Sequence, residues 1–517
     1  MKFCRLLTGL FIPLVVVLAA SADPARAESV AAYFERIKDQ PLLLREFLYR
    51  FPKGGELHSH LDGAVFAENY IAWAASDGRC IDLPTYTIMP PPCDTAAQRS
   101  PVADIQWDAD IVNRVIDALS VRNYERRTLS GHSQAFATFG RFANAVPGRE
   151  GYILAEVTDR AARQNNHYLE LIYITGMPAA MAVGASAQEF KQADAVARWL
   201  ENPELQQAFA DAVAATDAME QQWREVAQCD TADPDSDPDP GSDSDPAPGC
   251  QVTVRHISAV IRTLPRELVA AQTVLAFMLV EQDPRYVGVN FVAPEDHPIA
   301  LRDYDWQMQL IAQLAQHFPH AAKHITLHAG ELAPGLVPPE ALLGNIGKAI
   351  NTAGASRIGH GTSIVHEQDH ERLLQQMADQ RILVEINLSS NDIILEIAGD
   401  EHPFDLYRQY GVPLALSTDD EGVFRIDLTQ EYQRAVVDYD LGYDDLVWLS
   451  RNALAYSYLP GESLFTDVTA VRRVKACRKD QPGATPSDNC WAFLDNSEKA
   501  RLQWQLEGRF QAFEARY

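Results

Sequence analysis

The chain has 517 residues, of which 47% are hydrophobic and 22% charged. This is ordinary globular composition, and it excludes wholesale disorder and fibrous repeats. The formal net charge of −27 at pH 7 describes a surface that repels phosphate backbones, so nucleic-acid binding is excluded as a main role.

The first 27 residues have the pattern of an export signal. A basic start precedes an apolar run from Leu6 to Ala20, and small residues suited to a signal peptidase follow at Ala22 and Ala27. The run is short for a membrane span, which needs about 20 residues. We therefore expect a cleaved signal peptide, no membrane partner, and a mature protein that is periplasmic or secreted.

Six cysteines follow this segment and form three close pairs, 13, 21 and 13 residues apart: Cys80 and Cys93, Cys229 and Cys250, Cys477 and Cys490. Pairing neighbours is the simplest of the connectivities that six cysteines allow. An oxidising compartment would permit it. No C-x-x-C occurs among the six, which disfavours a cysteine zinc site.

The remaining chain is predicted to contain a short helical lead-in and one large domain. The lead-in comprises residues 28–51, and the domain comprises residues 52–517 with two irregular stretches. Residues 64–128 carry the first cysteine pair and a proline-rich turn, which predicts a small disulfide-bearing insertion after the first strand. Residues 229–250 hold seven Asp and five Pro and almost nothing apolar, so they predict a disordered, solvated loop. Its acidic spacing lacks the Gly and Glu that a calcium-binding EF-hand requires.

Strand-like apolar runs alternate with helical stretches along the rest of the domain. The strands are predicted at residues 168–173, 286–292, 325–327, 382–386 and 414–416, and helices at 305–317, 340–353 and 371–379. Such alternation predicts a parallel sheet. Polar residues recur just after these runs, which is the end of a (β/α)₈ barrel where active sites form. We therefore predict a (β/α)₈ TIM barrel.

Histidines provide the first candidate ligands. Residues two apart on a strand point the same way, so His58 and His60 can present two imidazoles to one metal ion. His328 offers a third imidazole, and Glu331 follows on the adjoining turn. His360 stands between two glycines, where we expect it to be exposed.

Two further polar clusters follow later strands. Asp419 and Asp420 are adjacent carboxylates that can serve different partners, and Glu385 precedes Ser389-Ser390-Asn391. Each residue has a structural alternative: His360 as a core histidine, the Asp pair as a helix cap, and Glu331 as a surface charge. Recurrence after strand-like segments favours a shared site. Three histidines and a carboxylate suit zinc, with one position left for water.

The ordered motifs HSHLDG, HAGE, RIGHG and STDD resemble those of the adenosine deaminase family of metal-dependent barrel hydrolases, over about residues 52–465. The signal peptide, the insertion and residues 294–296 resemble the secreted, growth factor-related branch, whereas HSHLDG resembles the intracellular enzymes. The chain departs from the family at Ala293, where many relatives have a purine-contacting Gly, at Asn387-Leu388 in place of Cys-Pro, and at Glu421 in place of Pro.

This resemblance implies one Zn²⁺ per chain, held by His58, His60, His328 and Asp419. It assigns Glu331 to proton transfer at the purine ring, and it places His360 beside the attacking water as base and electrostatic support. It gives Asp420 a catalytic role in orienting that water and a binding role at a ring nitrogen. Asp62 and Ala293 would also contact the substrate.

The implied activity is hydrolytic deamination of adenosine or 2′-deoxyadenosine to inosine or 2′-deoxyinosine and ammonia, outside the cytoplasm. One alternative is the same chemistry on adenine or a modified adenine nucleoside. A second is a non-catalytic, secreted adenosine-binding protein. A third, another metal-dependent barrel hydrolase, has no strand-end lysine to bridge two metals, because Lys323 precedes its strand. Oligomerisation is left open, since the short lead-in does not support the dimer of the growth factor-related branch.

Overall fold

A computed structural model describes residues 28–124, 128–186, 199–230 and 247–517. The predicted signal peptide and most of the acidic loop lie outside these ranges. Within them, no helix combines the length and the apolar character needed to cross a membrane.

Eight parallel strands form the centre of the described fold, in two four-stranded sheets. They are β1 Gly54–His60, β2 Asn166–Tyr173, β3 Thr253–Ile261, β4 Tyr286–Val292, β5 Thr326–Ala329, β6 Arg357–His360, β7 Leu383–Ile386 and β8 Leu414–Leu416. The strand order is β1-β2-β3-β4 in one sheet and β5-β6-β7-β8 in the other. Every residue of β4 is buried, as expected where a parallel sheet is covered on both faces.

Parallel backbone bridges join the two sheets at both of their edges. Ser59 of β1 pairs with Asp419 beyond β8, and Val289 of β4 pairs with Ile325 before β5. The amide of His60 donates to the Asp419 carbonyl at 2.8 Å. The carboxyl ends of β1 and β8 are thereby held side by side.

Helices alternate with the strands and extend to both ends of the described chain. Their bounds are Val30–Ile37, Pro41–Arg50, Ala67–Ser76, Val102–Ile105, Ala109–Ala118, Gly131–Phe142, Glu150–Arg163, Met177–Ser186, Pro203–Val226, Arg266–Gln282, Pro298–Leu314, Asn345–Asn351, His370–Gln380, Leu388–Leu395, Phe404–Tyr410, Glu421–Phe424, Leu428–Tyr439, Tyr443–Ala455, Asp488–Asp495 and Glu498–Glu514. The helix Arg266–Gln282 is buried without a break from Val269 to Val280, so it belongs to the core rather than to the surface.

Between β1 and β2 lies a small antiparallel sheet of Cys80–Asp82, Thr87–Met89 and Arg99–Pro101. A second, two-stranded sheet joins Phe465–Asp467 and Arg472–Arg473. All three predicted disulfides are present: Cys80–Cys93, Cys229–Cys250 and Cys477–Cys490. The prediction that neighbouring cysteines pair is confirmed.

Candidate active site

Three imidazoles and a carboxylate converge at the carboxyl ends of the strands. Nε2 of His328 lies 3.1 Å from Nε2 of His58 and 3.2 Å from Nε2 of His60. Oδ1 of Asp419 lies 3.4 Å from Nε2 of His58 and 3.3 Å from Nε2 of His60. The structure therefore brings together the four residues that were predicted to hold zinc.

Two of these imidazoles are oriented through their other ring nitrogen. Nδ1 of His58 lies 2.7 Å from a Glu385 oxygen, and Nδ1 of His328 lies 2.8 Å from the Asn290 side-chain oxygen. An ionised carboxylate and an amide oxygen can only accept, so both Nδ1 atoms donate. When both rings are neutral, as metal binding requires, their Nε2 atoms carry lone pairs that face each other, an arrangement typical of metal ligands.

A divalent cation fits this cluster. Two bare imidazole lone pairs repel each other unless a cation lies between them. Oδ1 of Asp419 is buried and has no hydrogen-bond partner within the described chain, and a buried carboxylate oxygen needs one. The spacings of 3.1 to 3.4 Å suit atoms that each lie about 2 Å from one shared ion.

Supporting residues fix the cluster. Ser390 donates to Oδ2 of Asp419 at 2.7 Å, which leaves Oδ1 facing the histidines. Glu385 also accepts from Thr326 and from Arg357, both at 2.7 Å. Burial opposes ionisation of Glu385, but the Arg357 guanidinium and His58 outweigh it and hold the pKa of this carboxyl below its usual value. The polar cluster after β7 thus supports the site and supplies none of the four converging groups.

Gly359 allows the metal-facing histidine to pack. A Cβ at this position would lie 2.6 Å from Cε1 of His58, closer than side chains tolerate. The first glycine of RIGHG is therefore required because β6 passes directly over the His58 ring.

His360 was predicted to be exposed, and this prediction is wrong: the side chain is fully buried. Its Nε2 lies 3.8 Å from an oxygen of Glu331 and 4.0 Å from Oδ2 of Asp419. His360 joins His58, His328 and Asp419 in a group whose ligand atoms lie within 4.8 Å of one another. Its contacts are longer than those of His58 and His60, so it stands beside the cluster.

A chain of hydrogen bonds determines which nitrogen of His360 carries the proton. The amide of Phe404 donates to Nδ1 of His402, so His402 donates from Nε2 to the Asn391 oxygen at 3.1 Å. The Asn391 amide nitrogen then faces Nδ1 of His360 at 2.9 Å. Nδ1 accepts that bond, and the proton of the neutral ring lies on Nε2. Burial lowers the pKa of His360 to about 3, which keeps the ring neutral.

Glu331 is buried at the pocket wall and is not a surface charge. Burial and repulsion by Asp419 raise the pKa of its carboxyl well above the usual value, which favours a protonated group that can donate. Its backbone amide donates to Glu295 at 2.9 Å, and the side chain of Asn345 donates to the same carboxylate at 2.7 Å. Glu295 thus anchors the HAGE turn.

The second aspartate of the pair sits against the HSHLDG loop. A Cβ on Gly63 would lie 1.7 Å from Oδ1 of Asp420, so only glycine leaves room for this carboxyl. Burial and repulsion by Asp419 raise the pKa of Asp420 well above its usual value. Asp62, in the same loop, has a buried Oδ1 without a hydrogen-bond partner among the described residues.

A cavity of about 270 Å³ opens onto this cluster. It is lined by His60, Phe136, Phe139, Ile174, Ile261, Val292, Ala293, Pro294, His328, Glu331, Ile394, Asp419 and Asp420. Apolar side chains form most of the wall and carboxyl groups one end of it, as in pockets for flat organic ligands. Asp62 is not among the described residues that line this cavity.

Three residues at the site adopt left-handed backbone conformations, which non-glycine residues rarely do. They are Ala293 at φ +79°, His360 at +66° and Asp419 at +64°. Each such residue costs about 1–3 kcal/mol, and this strain concentrates at functional sites. The conformation of Ala293 gives a backbone reason for the glycine that many family members carry there.

Replacing Asn290 with alanine is expected to weaken metal binding about 10–100-fold, because His328 loses the acceptor that orients it. Metal content after dialysis against a graded series of chelator concentrations measures the change. The exposed Asn351→Ala is the matched control. Equal metal retention by Asn290→Ala and the wild type would show that Asn290 is not needed to orient His328.

Comparison with known proteins agrees with this geometry. Residues 240–466 match the family model for adenosine deaminase. The adenosine deaminase of Pectobacterium atrosepticum is 38% identical over 128 residues, which cover 24% of this chain and 35% of that enzyme. The adenosine deaminase of Escherichia coli is 33% identical over 145 residues, covering 28% and 40%. Over residues 240–466 the chain is therefore similar to the adenosine deaminase family.

These alignments span well under half the length of the curated relatives. Solved structures resemble the fold over a larger part of the chain. An N6-mAMP deaminase from Arabidopsis matches with a TM-score of 0.50 and 20% identity, over 80% of this chain and 96% of that one. An adenine deaminase from Arthrobacter aurescens matches with a TM-score of 0.51 and 14% identity, over 79% and 94%. At these identities the likeness concerns the fold alone.

Proposed function

We propose that this protein is a zinc-dependent deaminase that converts adenosine or 2′-deoxyadenosine and water into inosine or 2′-deoxyinosine and ammonia. The observation that carries the proposal is the convergence of His58, His60, His328 and Asp419 beside two buried groups able to donate protons, Glu331 and His360. The similarity of residues 240–466 to the adenosine deaminase family supplies the reaction class. The two bridged sheets support a single (β/α)₈ barrel as the scaffold.

Each side chain has a defined task in this reaction. A divalent cation, when bound, supplies the acidity that turns water into a nucleophile near neutral pH. Glu331, kept protonated by burial, donates to the ring nitrogen beside the carbon that bears the amino group, and that carbon becomes electrophilic. His360 donates from Nε2 towards the developing negative charge. Of the two roles first assigned to His360, the hydrogen bonding favours electrostatic support over that of a base.

The remaining groups position the purine. Asp420, whose burial favours the protonated form, donates to the imidazole-side ring nitrogen. Phe136 and Phe139 on the cavity wall provide aromatic surface for the flat base. Asp62, with its unpaired buried oxygen, accepts from a ribose hydroxyl.

The charges of the cavity favour a nucleoside over a nucleotide. Its described lining contains Glu331, Asp419 and Asp420 and neither lysine nor arginine. A substrate phosphate would lose its hydration in this cavity without meeting a lysine or arginine to balance its charge. We therefore expect adenosine and 2′-deoxyadenosine to be deaminated with a kcat/KM at least tenfold above that for AMP, measured by ultraviolet absorbance with adenine as a further substrate. Preference for adenine would favour the free base, and preference for AMP would contradict the charge argument.

Metal removal is the direct test of the reaction class. We expect zinc-loaded protein to shift the absorbance of adenosine to that of inosine, and we expect the shift to be lost after chelation and regained on adding zinc. His360→Ala serves as a metal-retaining, inactive control. If folded, zinc-loaded protein leaves adenosine, 2′-deoxyadenosine and adenine unchanged, the proposed activity is wrong, and a non-catalytic binding role is favoured.

We also propose that the protein acts outside the cytoplasm. The three disulfides support this location, because oxidising compartments preserve such bonds. Cell fractionation of the natural host checks it: activity recovered mainly from the periplasm or the medium is expected, and activity confined to the cytosol would contradict it.

A further inference from the structure

A second cavity, of about 560 Å³, lies at the opposite end of the strands from the histidine cluster. Its wall includes Tyr286, the first residue of β4, Arg357, the first residue of β6, and His324, which precedes β5. The candidate active site is built from the carboxyl ends of the same strands. The two cavities are therefore separate.

Basic side chains dominate this second cavity. Six of them line it, and no aspartate or glutamate occurs among its described lining residues: His320, Lys323, His324, Arg357, Arg381 and Lys499. The chain as a whole carries 71 Asp and Glu against 44 Lys and Arg. A cavity of the opposite sign within so acidic a protein concentrates positive potential at one place.

Three of these cations have no ionic partner among the residues that the structure describes. Arg357 is already matched by Glu170 and Glu385, each at 2.7 Å. By contrast, Lys323, Arg381 and Lys499 form no ion pair within the described chain. Among the described residues, the hydrogen bond of Lys499 Nζ is to the Ala455 carbonyl, at 3.5 Å.

The cluster is under like-charge repulsion. Burial and the charges of His320, Lys499, Arg357 and Lys323 together lower the pKa of His324 to about 4. Burial and Arg357 together lower the pKa of Lys499 to about 8, although Glu170 opposes them. An anion in the cavity would relieve this repulsion.

Aromatic and hydroxyl groups complete the wall. The ring of Tyr458 lies 4.9 Å from that of His324, and its hydroxyl is 2.8 Å from Oγ of Ser356. The His320 and His324 rings meet edge to face at 4.5 Å. Nδ1 of His324 is buried without a hydrogen-bond partner in the described structure. The cavity thus combines unpaired cations with an unpaired ring nitrogen and flat surfaces.

We propose that this cavity binds a phosphate-bearing anion, held by Lys323, Arg381 and Lys499. A phosphate group carries close to two negative charges and several acceptor oxygens, so it can engage all three cations at once. The group is either free inorganic phosphate or the phosphate of a small nucleotide, for which the volume and Tyr458 leave room. This inference is independent of the proposed deaminase activity.

Calorimetric titration of the full-length, folded protein with inorganic phosphate tests it, at an ionic strength held constant with sodium chloride. The double variant Lys323→Gln/Arg381→Gln removes two exposed cations and is expected to bind phosphate at least tenfold more weakly than the wild type. The control Arg478→Gln/Lys479→Gln removes the same charge from exposed residues that do not line the cavity, and it should bind as the wild type does.

Titration with AMP, the second probe, distinguishes a nucleotide ligand from free inorganic phosphate. If the Lys323→Gln/Arg381→Gln variant loses AMP binding as well, the cavity takes a nucleotide; if only phosphate binding is lost, it takes the free anion. Either loss supports the proposal. Phosphate could also bind at the histidine cluster, which the double variant leaves intact. Binding that persists at full strength in that variant, or no binding of either probe to the wild type, overturns the proposal.

Discussion

Replacing Glu331 with glutamine is expected to lower kcat for adenosine deamination by about 10²–10⁴-fold, the usual contribution of a general acid. Glutamine keeps the shape and the neutral charge that burial already imposes on Glu331, but it cannot transfer a proton to the purine ring. Its amide can still hydrogen-bond that nitrogen, so KM should change much less than kcat. Steady-state absorbance assays across adenosine concentrations measure both constants.

Glu340→Gln provides the control for this substitution. Glu340 is exposed in the segment that follows the HAGE turn, so its replacement repeats the chemical change away from the cavity. Metal content and the unfolding midpoint of Glu331→Gln should match those of the wild type, since Glu331 is not one of the predicted ligands. A kcat within a few-fold of the wild type would show that the ring nitrogen receives its proton from another group.

Much of the fold could be predicted because buried parallel strands are recognisable in the sequence as apolar runs. The run at 286–292 matches β4 at both ends, and that at 414–416 matches β8. The strand Thr253–Ile261 was not predicted. Its first half carries Arg255 and His256 and follows directly on the acidic loop, so the local pattern is polar; pairing with β2 and β4 decides its conformation.

The ligand set could be predicted because each ligand lies at or just beyond the carboxyl end of a strand, and parallel strands end at one edge. The groups that orient the ligands could not. Asn290 lies inside the apolar run of β4, and nothing local indicates that its amide reaches Nδ1 of His328. The burial of His360 was missed for the same reason, since the residues that cover it come from elsewhere in the chain. Supporting contacts depend on side chains that only the folded chain brings together.

The second large effect on kcat is expected from Asn391, which links His402 to His360 through hydrogen bonds. In Asn391→Asp, the residue facing Nδ1 of His360 becomes a carboxylate, which can only accept. Nδ1 must then carry the ring proton, and Nε2 of the neutral ring presents a lone pair where it had presented a donor. In serine proteases the wrong imidazole tautomer costs about 10⁴-fold in kcat. We expect a loss of at least about a hundredfold here, measured as kcat for adenosine.

Metal content and affinity for adenosine distinguish a change of the His360 tautomer in Asn391→Asp from a structural defect of the site. Asn391→Asp should keep its bound metal and most of its affinity for adenosine, because the hydrogen bonds of the Asn391 side chain within the described structure go to His360 and His402 and not to the four converging ligand atoms. Exposed Asn351→Asp adds the same charge away from the site and should retain full kcat. A parallel loss of metal and activity in Asn391→Asp would mean that the residue maintains the cluster itself. Unchanged kcat would mean that His360 does not act as a donor from Nε2, and the base role would then be favoured.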